Sequence, residues 1–146
     1  MKKKFYFGTN TKMYKTIKDT REFVSKLQDL TRDISRDDIT LFVIPSYTTL
    51  KDANELKDEN LLMIGAQNMG WEEQGQFTGE ISPLMLQEIG TDLIMVGHSE
   101  RRHVLGETDE QENKRVLCAL NHNFTTLPGV GETEEQKEYG IGEETI

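Results

Sequence analysis

Side chains that can bind ligands or transfer protons follow four of the five short apolar segments of this sequence. They are Asn10 and Lys12 after the first segment, Gln67 and Asn68 after the third, His98, Ser99 and Glu100 after the fourth, and Glu132 after the fifth. In parallel α/β proteins, ligands bind at the carboxyl ends of the strands. The spacing therefore predicts a functional site at one edge of a parallel sheet.

Lys12 and His98 are the strongest chemical candidates in this group. Lys12 lies in the turn-forming segment 8–13, where its ammonium suits an anionic substrate, although a lone lysine is more often a solvated surface charge. His98 follows a buried apolar run, at the start of a helix or tight turn. The positive end of a helix dipole disfavours a protonated imidazole and suits it to donate a hydrogen bond while neutral. A structural histidine is an equal alternative at this position.

The other imidazole and thiol side chains favour structural roles. His103 and His122 have no comparable setting and are interpreted as structural or surface residues. Cys118 is the only cysteine and lies among apolar residues of a helical segment, which is typical of a buried thiol. Trp71 and Phe77, in a glycine-rich loop, are compatible with an exposed contact surface or with ordinary loop packing. The sequence predicts no metal centre and no internal disulfide.

The elements that would position these residues alternate between short apolar runs and longer amphipathic segments. The apolar runs that predict strands are Phe5–Phe7, Ile39–Ile44, Leu61–Ala66, Leu93–Val96 and Phe124–Leu127. Runs of consecutive apolar residues are typical of strands that are covered on both faces, as in a parallel sheet flanked by helices.

Helix-capping residues mark the starts of the amphipathic segments. Ser82 with Pro83 predicts the start of one helix and Gly90 its end, while Thr108 and Thr133 each precede a glutamine at capping-box spacing. Two earlier helices follow from apolar stripes, namely Ile17, Val24, Leu27, Leu30 and Ile34 after the N-cap Thr16, and Leu50, Ala53 and Leu56. Five strand-helix units predict one α/β domain over residues 1–146, either an open doubly wound sheet or part of a closed barrel.

Composition limits the partners of this protein. The 146 residues contain 26 acidic and 17 basic side chains, which gives a net charge of -9. This charge repels nucleic acids and anionic membranes, so neither is an expected partner. No secretory or membrane-spanning segment is recognisable, and we expect a cytoplasmic protein. An anionic substrate would be held by local positive groups rather than by the overall field.

Three segments together resemble the triosephosphate isomerase family. They are Asn10-Thr11-Lys12-Met13, then Gly65-Ala66-Gln67-Asn68 continuing into Gly75-Gln76-Phe77-Thr78-Gly79-Glu80, and Gly97-His98-Ser99-Glu100-Arg101-Arg102. The resemblance covers the whole chain but only the first five of the eight strand-helix units of that family's barrel. It implies a partial (β/α)8 barrel.

The resemblance also implies roles for individual residues. It makes His98 the electrophile that polarises a substrate carbonyl, Lys12 the group near the phosphate and carbonyl end, and Glu100 the acidic residue beside them. Asn10 and Ser99 would contact a phosphorylated sugar, and no cofactor is expected. The reaction would be an aldose-ketose isomerisation of glycolysis and gluconeogenesis.

Two further sets of residues match supporting parts of the family. Gln67 and Asn68 match the third-strand support of the lysine region. Thr78, Gly79 and Glu80 match an interlocking loop of a homodimer, with Thr78 reaching the partner's active site.

The departures from the family pattern concern the substrate and the catalytic base. Thr11, Tyr14 and the segment 128–132 differ from the usual residues, and these changes also resemble a branch that acts on tetrulose phosphates such as erythrulose phosphate. By resemblance, the catalytic glutamate, the lid and the phosphate loops follow the fifth unit. We therefore expect negligible turnover from these 146 residues alone. A non-catalytic half-barrel, completed by another chain or self-associated, is the alternative.

Overall fold

A computed structural model describes residues 5–140 and 142 of the chain. Its strands are β1 (Phe5–Asn10), β2 (Ile39–Ile44), β3 (Met63–Ala66), β4 (Leu93–Val96) and β5 (Thr125–Pro128). Its helices are α1 (Ile17–Leu30), α2 (Tyr47–Leu56), α3 (Pro83–Glu88), α4 (Ser99–Leu105), α5 (Asp109–Asn121) and α6 (Glu134–Glu138). Two of the five strands have the predicted limits; β1 and β3 differ at one end by three and two residues, and β5 differs by one residue at each end.

The five strands form one parallel sheet in the order β1-β2-β3-β4-β5. A doubly wound sheet reverses its strand order part-way across, whereas a barrel adds each strand beside the previous one. The sequential order therefore decides between the two architectures that periodicity left open. It also brings all strand carboxyl ends to the same edge of the sheet.

Local capping explains where most helices begin. The side chains of Thr108 and Thr133 each accept a hydrogen bond from the backbone N–H three residues on, and each threonine donates its own backbone N–H to the side-chain oxygen of that glutamine, which completes both predicted capping boxes. Ser82 caps α3 with Pro83 at its first position. The sequence did not separate α4 from the turn that follows β4. This short helix begins at Ser99 and ends at Gly106, whose φ of 72° suits glycine.

The predicted stripe of α1 is only partly buried. Val24 is fully buried, but Ile17 and Leu30 are exposed, and Ile34 lies beyond the end of the helix. The buried face instead continues through Thr20 and Gln28, one turn before and after Val24. Gln28 is accommodated because its amide donates to the carbonyl of Leu56 and accepts from the backbone N–H of Asp58 at the end of α2, whereas the buried hydroxyl of Thr20 has no hydrogen-bond partner among the described residues.

The core lies between the sheet and the helices α1, α2 and α5. Its fully buried side chains include Val43, Leu50, Ile64, Ile94 and Ala119. The prediction of a buried Cys118 is confirmed. Strand coverage on both faces holds for the inner strands but is wrong for the two edge strands: Phe5 and Phe7 of β1 are each 55% exposed, and Thr125 and Pro128 of β5 are exposed. Within the described residues, no helix has the length and apolarity to cross a membrane.

Candidate active site

The first part of the site is the turn that follows β1. The Asn10 side-chain oxygen accepts a hydrogen bond from the backbone N–H of Lys12 at 2.8 Å. This turn holds Lys12 at a φ of 51°, in the left-handed region that non-glycine residues seldom adopt. Thr11, between them, is buried and donates its backbone N–H to the carbonyl of Ile44. The strained backbone directs the lysine side chain across the carboxyl edge of the sheet.

Gln67, directly after β3, locks this turn in place. Its side-chain amide donates hydrogen bonds to the Asn10 side-chain oxygen at 3.2 Å and to the Lys12 carbonyl at 2.7 Å. The predicted support of the lysine region by Gln67 is therefore present in the structure. The matching expectation for Asn68 is wrong, because its side chain points elsewhere and donates to Glu107 at 3.3 Å. Of the two amides, only that of Gln67 contacts the turn of Lys12.

His98 caps the helix that carries the rest of the site. Gly97 turns the chain sharply after β4 with a φ of 75°, and His98 occupies the N-cap of α4. The Nδ1 atom of His98 accepts a hydrogen bond from the backbone N–H of Glu100 at 3.2 Å. An accepting Nδ1 carries no hydrogen, so the proton of the neutral ring lies on Nε2. In this neutral ring, Nε2 is therefore the atom that can donate a hydrogen bond.

Glu100 joins the lysine and the histidine. One carboxylate oxygen forms an ion pair with the Lys12 ammonium, and the other lies 3.6 Å from the His98 Nδ1. The hydrogen bond from Lys12 holds the pKa of the Glu100 carboxyl below its ordinary value. Because all three side chains remain partly open to solvent, the pair leaves two of the three N–H donors of Lys12 available to a ligand.

The structure therefore brings Asn10, Lys12, His98 and Glu100 to one edge of the sheet, as predicted. Ser99 lies beside them as the first, exposed residue of α4. Glu132 is exposed on the segment between β5 and α6.

The predicted dimer-loop residues lie on a separate segment, the loop 70–82 between β3 and α3. Thr78 and Gly79 are exposed there, whereas the carboxylate of Glu80 lies 3.9 Å from the Arg115 guanidinium. Trp71, at the start of the same loop, packs on the core and lies 4.9 Å from the Arg115 guanidinium. Of the two alternatives for this loop, ordinary packing therefore describes Trp71, whereas Phe77 is 47% exposed.

A buried ionic cluster behind α4 was missed from the sequence. Arg101 donates two hydrogen bonds to one oxygen of Glu107, at 2.9 and 2.5 Å, and Arg115 reaches the same oxygen at 3.2 Å. Arg115 and Glu107 are 3% and 8% exposed at their side chains. A signal was available in α5, because Glu112 and Arg115 share the helical face of the buried Ala119. Charged residues on an apolar stripe indicate buried ion pairing.

A family model described as triosephosphate isomerase matches residues 5–146. This chain belongs to the triosephosphate isomerase family. The resemblance inferred from its motifs is confirmed, and the five-stranded parallel sheet is a partial (β/α)8 barrel of that family.

Curated relatives in the family carry two different names. L-erythrulose-1-phosphate isomerase of Rhizobium etli is 42% identical over 136 residues, covering 92% of this chain and 50% of the relative. Triosephosphate isomerase of Thermoanaerobacter sp. is 43% identical over 131 residues, covering 90% of this chain and 52% of the relative. The triosephosphate isomerase of Dictyoglomus thermophilum is 38% identical over 139 residues, covering 95% and 55%. The chain spans about half the length of the curated relatives it matches.

Proposed function

We propose that the protein carrying these residues isomerises a phosphorylated aldose and ketose through an enediolate. The observation that carries the proposal is the Glu100 carboxylate, which contacts the Lys12 ammonium and lies 3.6 Å from the imidazole of His98. This contact joins the carboxyl ends of β1 and β4, where a barrel of this family binds its ligand. A cation for the anionic end of a sugar phosphate and a neutral donor for its carbonyl thus lie side by side.

Each residue has a defined part in the proposed reaction. The Nε2–H of His98 donates to the substrate carbonyl oxygen and stabilises the negative charge that develops there. Lys12 binds the phosphate and carbonyl end with its remaining N–H groups, and Asn10 and Ser99 contact the substrate. The Glu100 carboxylate orients the lysine, and the Glu100 backbone N–H orients the imidazole by donating to its Nδ1. No cofactor enters this scheme, because the substrate carbonyl itself accepts the electron pair released when the carbon is deprotonated.

The general base at the substrate carbon belongs to the part of the family fold that follows the fifth unit. A positioned general base contributes roughly 10²- to 10⁴-fold to the rate of such a step. These 146 residues alone are therefore expected to bind and polarise the substrate with negligible turnover. The base, the lid and the phosphate loops complete the site in the proposed enzyme.

The substrate is proposed to be glyceraldehyde 3-phosphate with dihydroxyacetone phosphate, in glycolysis and gluconeogenesis in the cytoplasm. A tetrulose phosphate such as erythrulose phosphate is the second candidate. It is favoured by the relatives named L-erythrulose-1-phosphate isomerase, which are as similar to this chain as those named triosephosphate isomerase. The exposed loop of Thr78 and Gly79 is proposed as the contact of a homodimer.

A coupled isomerase assay tests the proposal on the protein expressed from its complete reading frame. Glyceraldehyde 3-phosphate and erythrulose phosphate are each supplied, and the ratio of the two kcat/KM values identifies the substrate. His98→Ala is expected to lower kcat/KM roughly 10²- to 10³-fold, the effect of removing one oxyanion donor. His103→Ala is the matched control, because His103 is an exposed histidine of the same helix. Equal activity of the two variants, or no activity on either sugar phosphate, refutes the proposal.

A further inference from the structure

We propose that Glu107 and Glu112 share one proton. This proton strengthens the attachment of α4, the helix that follows His98, to α5, so the attachment depends on pH. The inference does not depend on the proposed isomerase activity. It concerns the cluster behind α4, where two carboxyl groups meet the same guanidinium. Arg115 lies 3.2 Å from a Glu107 oxygen through Nη2 and 3.7 Å from a Glu112 oxygen through Nη1.

The hydrogen bonds around Glu107 are distributed very unevenly between its two oxygens. Its Oε1 accepts from Arg101 and Asn68 and lies beside Arg115. Its Oε2 is buried and has no hydrogen-bond partner among the described residues. An oxygen that is buried without a donor is a costly exception in a folded protein.

Glu112 also has buried carboxyl oxygens that lack hydrogen-bond partners. Both of its carboxyl oxygens are buried without a hydrogen-bond partner in the described part of the chain, and its side chain is 5% exposed. If Glu112 is a carboxylic acid, its O–H donates to the unpartnered Oε2 of Glu107. The proton comes from solvent, Glu107 stays ionised and keeps its arginine partners, and one hydrogen bond satisfies two buried oxygens.

The balance of charge around the pair favours the same arrangement. The titratable and charged groups that face it are Tyr47 on α2, Glu80 on the loop 70–82, Arg101 and Arg102 on α4, and Asp109 and Arg115 on α5. Arg102 is paired with Asp109, and burial keeps the phenol of Tyr47 neutral by raising its pKa. Arg101 and Arg115 then balance Glu80 and Glu107, so an ionised Glu112 would add an uncompensated buried charge.

The direction of the pKa shifts agrees with this geometry. Burial, followed by the hydrogen bond that a protonated Glu112 would donate to Glu107 and by the negative charge of Glu107, raises the pKa of Glu112 to about 7. Burial acts to raise the pKa of Glu107 as well, but hydrogen bonds from Arg101 and Glu112 and the charge of Arg115 bring it below its ordinary value. Such a separation is expected when two carboxyl groups hold one proton between them.

The shared proton has a structural consequence near the site. Glu107 holds Arg101, which lies three residues after His98, and Asn68, which follows the Gln67 that locks the lysine turn. Deprotonation of Glu112 places two carboxylates against each other and weakens both attachments. A raised folded-state pKa means that the folded protein binds the proton more tightly, so stability falls as the pH rises toward about 7.

The first test is infrared spectroscopy of the unmodified protein from its complete reading frame. At pH 6 the expected result is a C=O stretching band of a protonated carboxylic acid, which disappears with a midpoint near the pKa of about 7. The band is absent from Glu112→Gln, whose amide keeps a donor toward Glu107 without ionising. Absence of the band from the unmodified protein at pH 6 overturns the proposal without requiring any variant to fold.

The second test is the pH dependence of unfolding by urea. For the unmodified protein, the unfolding equilibrium constant is expected to rise about tenfold between pH 6 and pH 8 through this one group. Glu112→Gln loses that increase, whereas Glu110→Gln keeps it, because Glu110 is a 79% exposed glutamate on the same helix. Identical pH dependences for the unmodified protein and Glu112→Gln overturn the proposal, and a pocket filled by water around an ionised Glu112 is the interpretation that would replace it.

Discussion

The ion pair between the buried side chain of Lys57 and the side chain of Asp92, which is 31% exposed, allows a quantitative test of what holds the sheet in register. The Lys57 side chain is 6% exposed, and its ammonium bonds both Asp92 carboxylate oxygens at 2.8 Å and the Gly90 carbonyl at 2.6 Å. One Asp92 oxygen also accepts from the Ile64 backbone N–H at 2.8 Å. This carboxylate therefore joins the end of α2 to the amino ends of β3 and β4, at the edge opposite the site.

The substitution Asp92→Asn is expected to lower the free energy of unfolding by about 3–5 kcal/mol. It removes the negative charge and leaves the Lys57 ammonium buried without a counter-ion, which is the costly way to break a buried pair. The asparagine has a single acceptor oxygen, so the ammonium and the Ile64 N–H compete for it. A loss of this size is a large part of the 5–15 kcal/mol by which typical domains are stable.

Replacing both charges should be better tolerated than replacing one. In Lys57→Met with Asp92→Asn, no charge is buried and the amide oxygen remains available to the Ile64 N–H. We expect this double variant to recover about 2 kcal/mol or more relative to Asp92→Asn. Lys51→Met is the matched control, because Lys51 is a 72% exposed lysine of the same helix and its pair with Glu55 contributes at most about 0.5 kcal/mol.

Urea unfolding at pH 7 provides the measurement, followed by far-ultraviolet circular dichroism and by the fluorescence of the single tryptophan, Trp71. The two probes must give the same unfolding transition, because only a two-state transition yields a valid free energy of unfolding. A loss below about 1 kcal/mol for Asp92→Asn, or a double variant less stable than Asp92→Asn, would refute the reasoning. Either result would mean that water reaches Lys57 and replaces its partner.

Two further substitutions test the turns that carry the site. Gly97→Ala is expected to lower the free energy of unfolding by about 1–3 kcal/mol, because the φ of 75° disfavours a side chain and a Cβ would lie 2.9 Å from the Gly129 carbonyl oxygen. Urea unfolding measures this loss, and an unchanged urea midpoint contradicts the prediction. Gln67→Leu removes two hydrogen bonds from the turn of Lys12 and is expected to cost about 1–2 kcal/mol and to raise KM for the sugar phosphate. An unchanged KM in the coupled assay would show that the turn holds Lys12 without Gln67.

Capping and strand positions were predictable because they depend on residues close in sequence. Thr108 and Thr133 bond groups three residues away, so their spacing alone identifies the helix starts. The extent of burial was less predictable. Ile17 and Leu30 have helical spacing in α1 but remain exposed, because burial depends on which neighbouring element covers each turn.

The candidate site shows the same division. Lys12 and His98 were identified from their positions after strands and from family motifs. The sequence predicted a neutral His98 from the helix dipole, whereas the hydrogen bond from the Glu100 N–H to its Nδ1 is visible only in the structure. Asn68 was assigned to the lysine turn, but its side-chain amide donates to Glu107, which lies 39 residues away in sequence and could not be identified as its partner from local spacing.

The sequence by itself determined the order of the strands, the N-caps of α1, α3, α5 and α6 and the family, because these depend on local spacing and on motifs. Tertiary structure alone decided the Gln67 lock on the turn of Lys12, the ion pair of Lys57 with Asp92 and the buried pairing of Glu107. The physical reason is separation along the chain: Gln67 and the Lys12 carbonyl are 55 residues apart, and only the parallel pairing of β1, β2 and β3 brings them within 2.7 Å.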